Sequence, residues 1–293
     1  MPSGILLLDK PLGLSSNAVL QRVRTLFLRQ KAGHVGSLDP LATGMLPICL
    51  GEATKIAGQI LAGRKRYRFT VALGAATATG DTEGAVTTTA PVPPLERAAL
   101  EALLTRFRGP QTQTPPMYSA VKRAGQPLYK LARAGVTVAR AARAIELFEL
   151  ALLALGPASL ELEALCSKGT YIRVLAEDLA AALGTCGHVT ALRRLYVEPF
   201  EKEPMHTLES VAATRARGDW PRLLSSDWPL GHLTAVRLTA SEARRLLSGQ
   251  SVMVEVAGAA AVRLYDEAGT FLGLGEADGR GAVRPRRLLN AAL

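Results

Sequence analysis

Asp39 stands in a setting suited to chemistry. It lies in the segment GHVGSLDPLATGMLPICLGEATK, residues 33–55, between small residues and a proline, with His34 shortly before it and Lys55 at the end. Pro40 disfavours the helical region for the residue before it, so Asp39 is expected to be extended or in a turn. Gly33, Gly36 and Gly44 allow tight backbone geometry around it. A carboxylate with a reference pKa of about 3.9 is ionised at neutral pH unless burial raises it. An ionised acid held by such a loop can attack covalently or assist a departing group. The other reading of the residues alone is a turn aspartate bonded to its own backbone.

Several elements must hold such a loop. Residues 5–8 read as a short buried strand ending in the turn residues Asp9, Lys10, Pro11 and Gly13. Ser15 or Ser16 then caps a helix with Val19, Leu20, Val23, Leu26 and Phe27 at helical spacing. Residues 67–73 alternate, placing Tyr67, Phe69, Val71 and Leu73 on one face and Arg66, Arg68 and Thr70 on the other. Residues 87–94 read as a linker, followed by a helix carrying Leu100, Leu103, Leu104 and Phe107. Residues 109–127 are polar, proline-containing and basic, which suggests a long functional loop, and mobility is expected over residues 109–133.

Runs at residues 145–155 and 159–166 meet at Gly156-Pro157 as a hairpin, and residues 170–183 read as a helix stopped by Gly184. Irregular alternation of strands and helices favours an α+β fold with a mixed, mainly antiparallel sheet. The texture changes near residues 229–233. Thr239 and Glu242 have capping-box spacing, and glycine-punctuated runs beyond them suggest a small β-rich module.

Composition narrows the function classes. The 293 residues are 48% hydrophobic and 20% charged, which argues against extensive disorder. A net charge of +10 favours a polyanionic partner. The cations are grouped: Arg64, Lys65, Arg66 and Arg68; Lys122 and Arg123; Arg193 and Arg194; Arg284, Arg286 and Arg287. Cys49, Cys166 and Cys186 fit no zinc spacing, and no metal or cofactor is expected. Residues 5–8 are too short for a signal core or a membrane span, so a cytoplasmic location is expected.

The blocks ILLLDKPLGLSSN, GHVGSLDPLATGMLPICLGEATK, KRYRFTVALG, TGDTEG, QTPPMYSAVK, CSKGTYIRVLAEDL and HVTALRRL follow one another along the chain. Together they resemble the TruB family of bacterial tRNA pseudouridine synthases, and GEADGRGAVRPRRLL resembles a PUA-type RNA-binding domain. The resemblance implies a pseudouridine synthase catalytic domain over residues 1–230 and a PUA-like domain over residues 231–293. It also implies conversion of the T-loop uridine at tRNA position 55 to pseudouridine without cofactor or obligatory protein partner; a monomer is expected.

Residue by residue, the resemblance makes Asp39 the catalytic aspartate and Arg173 its partner. From sequence alone Arg173 equally forms a helix pair with Glu177. Tyr67 would stack on the target base and help remove its C5 proton, although its strand face also suits the core. His34 would insert into the T loop and hold it open after the target nucleotide flips. Lys10, Lys55 and Tyr171 match active-site positions, the lysines contacting RNA phosphate or buttressing the loop. Asp81 would lie near the substrate or the active-site network, and Leu192 would line the pocket. Arg66, Lys122 and Arg123 would flank the cleft, with Arg286 extending contact toward the acceptor end. Two other readings compete. One is an RNA-folding protein using the same basic surfaces. The other is a metal-dependent nuclease built on Asp9, Asp39, Glu52 and Asp81, which sit at no metal-ligand spacing.

Overall fold

The computed structural model describes residues 1–123, 125–256 and 258–289. A buried strand, β1 (Gly4–Lys10), leads to helix α1 (Ser16–Leu26), where Ser15 is the N-cap and accepts from the Ala18 N–H. Strands β2 (Ala32–His34) and β3 (Ala42–Leu50) come next, then a 3-10 turn (Gly51–Ile56) and the short α2 (Ala57–Ala62). After them run β4 (Lys65–Leu73), β5 (Ala75–Thr77), β6 (Val86–Thr89), α3 (Arg97–Arg106) and β7 (Gly109–Gln113). A small hairpin, β8 (Lys122–Arg123) and β9 (Gln126–Pro127), precedes α4 (Leu128–Arg133). Then come β10 (Arg143–Gly156), β11 (Ser159–Cys166), α5 (Ile172–Ala182), β12 (Gly187–Val197) and α6 (Leu208–Ala216). The chain continues through β13 (Thr234–Arg237), α7 (Ala240–Leu247), β14 (Val252–Met253), β15 (Ala259–Tyr265), β16 (Phe271–Asp278) and β17 (Ala282–Leu288).

The main sheet has the order β1-β3-β12-β4-β11-β10-β7, with β2 added beside β3. Every pairing in it is antiparallel except β12 with β3, so the expected mixed, mainly antiparallel sheet is present. The alternation in β4 has the expected consequence: Tyr67, Phe69, Val71 and Leu73 are buried, against α3 and α5. Helices α1 and α6 cover β1 and β3 through Val19, Val23, Phe27 and Val211. Among the described residues no helix is long and apolar enough to cross a membrane.

Strand β3 is shared among three partners, and this positions the Asp39 loop. β1 runs along one edge of β3, from Gly4 opposite Leu50 to Lys10 opposite Gly44. The other edge is divided, with β2 beside residues 48–50 and β12 beside residues 42–44. Residues 35–41 connect β2 to β3 within that fork. Gly44 is where β12 comes closest. Its φ is +99°, and a Cβ there would stand 2.1 Å from the Arg194 carbonyl oxygen, so only glycine fits.

A second sheet, β13-β15-β16-β17-β14, has its own apolar cluster with α7. The capping box of α7 forms as expected, Thr239 and Glu242 each bonding the other's backbone. Leu274 of this sheet also packs with Ile5, Ile56 and Ile60, which seats it against β1 and α2.

Two expectations are corrected. Residues 109–127 are not one long loop: β7 pairs with β10, and β8 with β9. Within residues 87–94, the threonines at 87–89 belong to β6, which pairs with β5. Both exceptions are short polar strands whose residues bury too little to show an apolar alternation.

Candidate active site

Asp39 sits in the fork loop, held from both sides. Its carbonyl accepts from the Ala42 N–H at 3.0 Å, and the Pro40 carbonyl accepts from the Gly13 N–H at 2.9 Å. Before it, buried Ser16 grips Leu38 twice: Ser16 Oγ accepts from the Leu38 N–H at 2.7 Å and donates to the Leu38 carbonyl at 2.9 Å. A residue next to the carboxylate is thus fixed to the first turn of α1.

Arg173, in the first turn of α5, meets the acid. Its Nε lies 3.0 Å from Asp39 Oδ2 and 3.7 Å from Asp81 Oδ2. Nη1 donates to the Thr79 carbonyl and Nη2 to the Tyr118 carbonyl, at 2.6 and 2.7 Å. The guanidinium is therefore fixed by groups on three separate segments, which favours this role over the surface helix pair with Glu177. Asp81 is itself buried and accepts from Thr79 Oγ1 and the Glu83 N–H.

Two cavities meet at Asp39, Arg173 and Ser119. The inner one, about 390 Å³, is lined by Tyr67, Tyr171, Leu192 and Arg194. The outer one, about 840 Å³, is lined by His34, Asp81, Glu83 and Arg133. Ser119 and Ala120 lie along both. The inner space is wide enough for a planar ring against Tyr67.

Burial sets the protonation of these groups. Desolvation raises the Asp39 pKa; Arg173 opposes that rise and Asp81 adds to it. Burial also raises the Tyr67 pKa, with Arg194 opposing. A phenol held protonated is a poor base, which favours stacking and hydrogen-bond donation over removal of a C5 proton. The His34 pKa is lowered by burial and then by Arg194, so its ring is neutral near pH 7, and its buried Nδ1 has no partner among the described residues.

Three expected contacts change. Lys10 is 0% exposed, and its Nζ donates to the carbonyls of Pro11, Leu14 and Pro40, so of its two expected roles it buttresses the loop and does not meet phosphate. Its burial lowers its pKa to about 8. Lys55 is not brought to either cavity; it pairs with Glu52 and donates to the Leu288 carbonyl at 2.8 Å, on β17. Arg66 is bound by Glu163 and Glu149, at 2.8 and 2.5 Å, and by the Tyr196 hydroxyl, so it does not flank the cleft as a ready phosphate contact. Lys122, Arg123 and Arg286 are exposed.

Ser16 and Arg194 escaped the sequence reading. The Ser15-Ser16 pair signalled a cap, but nothing local distinguished the second serine's bond to a distant loop. Arg194 had been one of several basic groups, yet it is buried, with Nε on the Met45 carbonyl and Nη2 on the Gly36 carbonyl.

The acids invoked for a nuclease are already occupied: Asp9 by Arg193, Glu52 by Lys55, and Asp39 and Asp81 by Arg173. Among the described residues no group of three or more His, Cys, Asp or Glu is placed to hold a metal ion.

Comparison with known proteins adds independent findings. The model of the TruB family pseudouridylate synthase N-terminal domain matches residues 24–172. The model of the tRNA pseudouridylate synthase B C-terminal domain matches residues 173–224, and that of the pseudouridine synthase II TruB C-terminal region matches residues 234–289. The chain is 50% identical over 292 residues to tRNA pseudouridine synthase B of Chromohalobacter salexigens, covering 99% of this chain and 95% of that protein. It is 47% identical over 291 residues to tRNA pseudouridine synthase B of Coxiella burnetii, covering 98% and 94%. Among solved structures, an H/ACA ribonucleoprotein bound to a substrate RNA containing 2'-deoxyuridine includes a chain of similar fold. Its TM-score is 0.74 at 19% identity, covering 98% of this chain and 85% of that one.

Proposed function

We infer each residue's part from one premise: the chain belongs to the TruB family of pseudouridylate synthases. It is an isomerase that converts uridine in tRNA to pseudouridine. Within that activity, the target is the T-loop uridine at position 55, flipped from its stack into the inner cavity. The observation that carries this reading is the Asp39–Arg173 contact at 3.0 Å, at the junction of the two cavities.

Arg173 keeps the Asp39 carboxylate available as an anion, against the desolvation that favours its protonated form. The carboxylate faces the ribose and assists cleavage of the C1′–N1 bond, whose electron pair leaves with the uracil. The base turns, C5 bonds to C1′, the C5 proton is lost, and N1 is reprotonated. Tyr67 stacks on the base, with Leu192 across the same cavity. Tyr171 lies at its rim, fixed through its backbone by Gln113. Neutral His34 fills space vacated in the T loop, a role supported by its place on the outer cavity.

Residues 231–293 act as an RNA-binding module. Lys55 tethers this module through Leu288, close to Arg286 on β17. Lys122, Arg123 and Arg286 contact phosphate, which supplies affinity and register while the folded T loop supplies recognition. Incubation with a tRNA transcript tritiated at uridine C5 tests the assignment. Release of tritium from the T-loop uridine is expected. Release from another uridine, or none from folded protein, overturns it.

A further inference from the structure

Arg194 is 1% exposed, and its guanidinium is spent on backbone carbonyls and not on a carboxylate. Burying a cation in this way is costly unless its N–H groups are used. Nε holds the Met45 carbonyl of β3 at 2.7 Å, and Nη2 holds the Gly36 carbonyl of the Asp39 loop at 2.9 Å. Arg194 is also the cross-strand partner of Tyr67 where β12 pairs with β4, and both side chains form part of the inner cavity wall. One side chain thus joins the loop that presents the carboxylate to the ring set against the base.

The direction of these bonds matters. A guanidinium has donors only and carries positive charge, so beside Tyr67 it favours a hydroxyl hydrogen turned away from it, toward another acceptor. Tyr67 lines the inner cavity, where that acceptor can be a bound base. Cleavage of the C1′–N1 bond leaves its electron pair on the uracil, whose carbonyl oxygens then carry negative charge. A donor already aimed at that position, backed by a cation, stabilises the detached base without reorganising.

We propose that Arg194 is a positioning residue for the isomerisation: it pins the Asp39 loop to β3 and turns the Tyr67 hydroxyl toward a carbonyl oxygen of the detached uracil. It acts through Tyr67 and the loop and does not touch RNA. This role rests on Asp39 and Tyr67 being the catalytic pair.

Arg194→Lys keeps the charge but cannot reach the Gly36 and Met45 carbonyls together. Single-turnover rates on an unmodified tRNA transcript, Kd for fully modified tRNA and thermal melting are measured for Arg194→Lys, Tyr67→Phe and the double variant. The Arg194→Lys rate is expected to fall about 100-fold, as for a misplacement of about 1 Å, with Kd unchanged. That loss is expected to shrink in the Tyr67→Phe background, which a merely structural role would not produce. A near-normal rate, or a loss undiminished by Tyr67→Phe, overturns the proposal. If Arg194→Lys does not fold, Arg194→Gln, which retains a donor but no charge, gives the same comparison. Full activity in Asp39→Asn would instead overturn the assignment of the catalytic pair, so the two failures are distinguishable.

Discussion

Arg173 Nε stands 3.0 Å from Asp39 Oδ2 and 3.7 Å from Asp81 Oδ2, so one buried guanidinium serves two carboxylates. The Arg173 side chain is 5% exposed and that of Asp39 is 40% exposed. Asp39 therefore reaches solvent while its partner does not. Sharing has a consequence. Asp81 competes for the cation and adds its own charge, leaving burial only partly offset at Asp39.

Arg173→Lys should lose the fork that spans Asp39, the Thr79 carbonyl and the Tyr118 carbonyl. The expected result is a fall in kcat of about 100-fold with little change in tRNA affinity, because the acid loses the group that orients it. Steady-state kinetics on transcript tRNA check it. A normal kcat would exclude an orienting role for the guanidinium.

In the role proposed for it Asp39 must be ionised, and its folded pKa is raised by burial first, with Asp81 adding to it. Activity should therefore decline on the acid side above the range of an ordinary aspartate. Asp81→Asn removes one raising influence while keeping an oxygen for Thr79 and the Glu83 N–H. The acid limb of kcat should move to lower pH, and a limb that stays or rises contradicts the coupling.

The same shift affects stability. An acid whose folded pKa lies above its unfolded value binds more protons when folded, so stability falls as pH rises through that window. Asp39→Asn should then raise Tm at neutral pH, where Arg173 retains Asp81, and the gain should vanish in acid. Calorimetry at several pH values decides it.

Ser16→Ala orphans both the N–H and the carbonyl of Leu38 beside the catalytic loop. The expected cost is roughly 1–3 kcal/mol, since these groups are buried. Denaturant unfolding measures that cost, and a drop in kcat beyond the folded fraction would show that the loop itself has moved.

Lys10 and the exposed cations should separate by salt. Arg286→Ala or Lys122→Ala should reduce the slope of log Kd against log salt by about 1 if each contacts a phosphate. Lys10→Met should leave the slope unchanged and lower kcat, because its Nζ bonds protein carbonyls.

Much of the architecture was legible from periodicity. The alternation of β4, the hairpin of β10 and β11 and the capping box of α7 are local patterns. Asp39, Tyr67 and Arg173 stood out through family motifs, and the fold brings all three to the inner cavity. What stayed hidden was non-local. Arg66 looks like a phosphate ligand until Glu149 and Glu163 arrive from β10 and β11. Lys55 is close to Asp39 in sequence, yet the fold turns it toward β17. Arg194 and Ser16 act on backbone groups of distant loops, and no residue pattern encodes that.

The most direct measurement maps pseudouridine on an unmodified tRNA transcript after incubation with wild type and with Asp39→Asn, alongside tRNA binding by both. Wild type should modify the T-loop uridine, and Asp39→Asn should bind the transcript yet leave that uridine unchanged. Pseudouridine formed by folded Asp39→Asn at a rate near wild type would contradict the assignment of Asp39 as the reacting carboxylate.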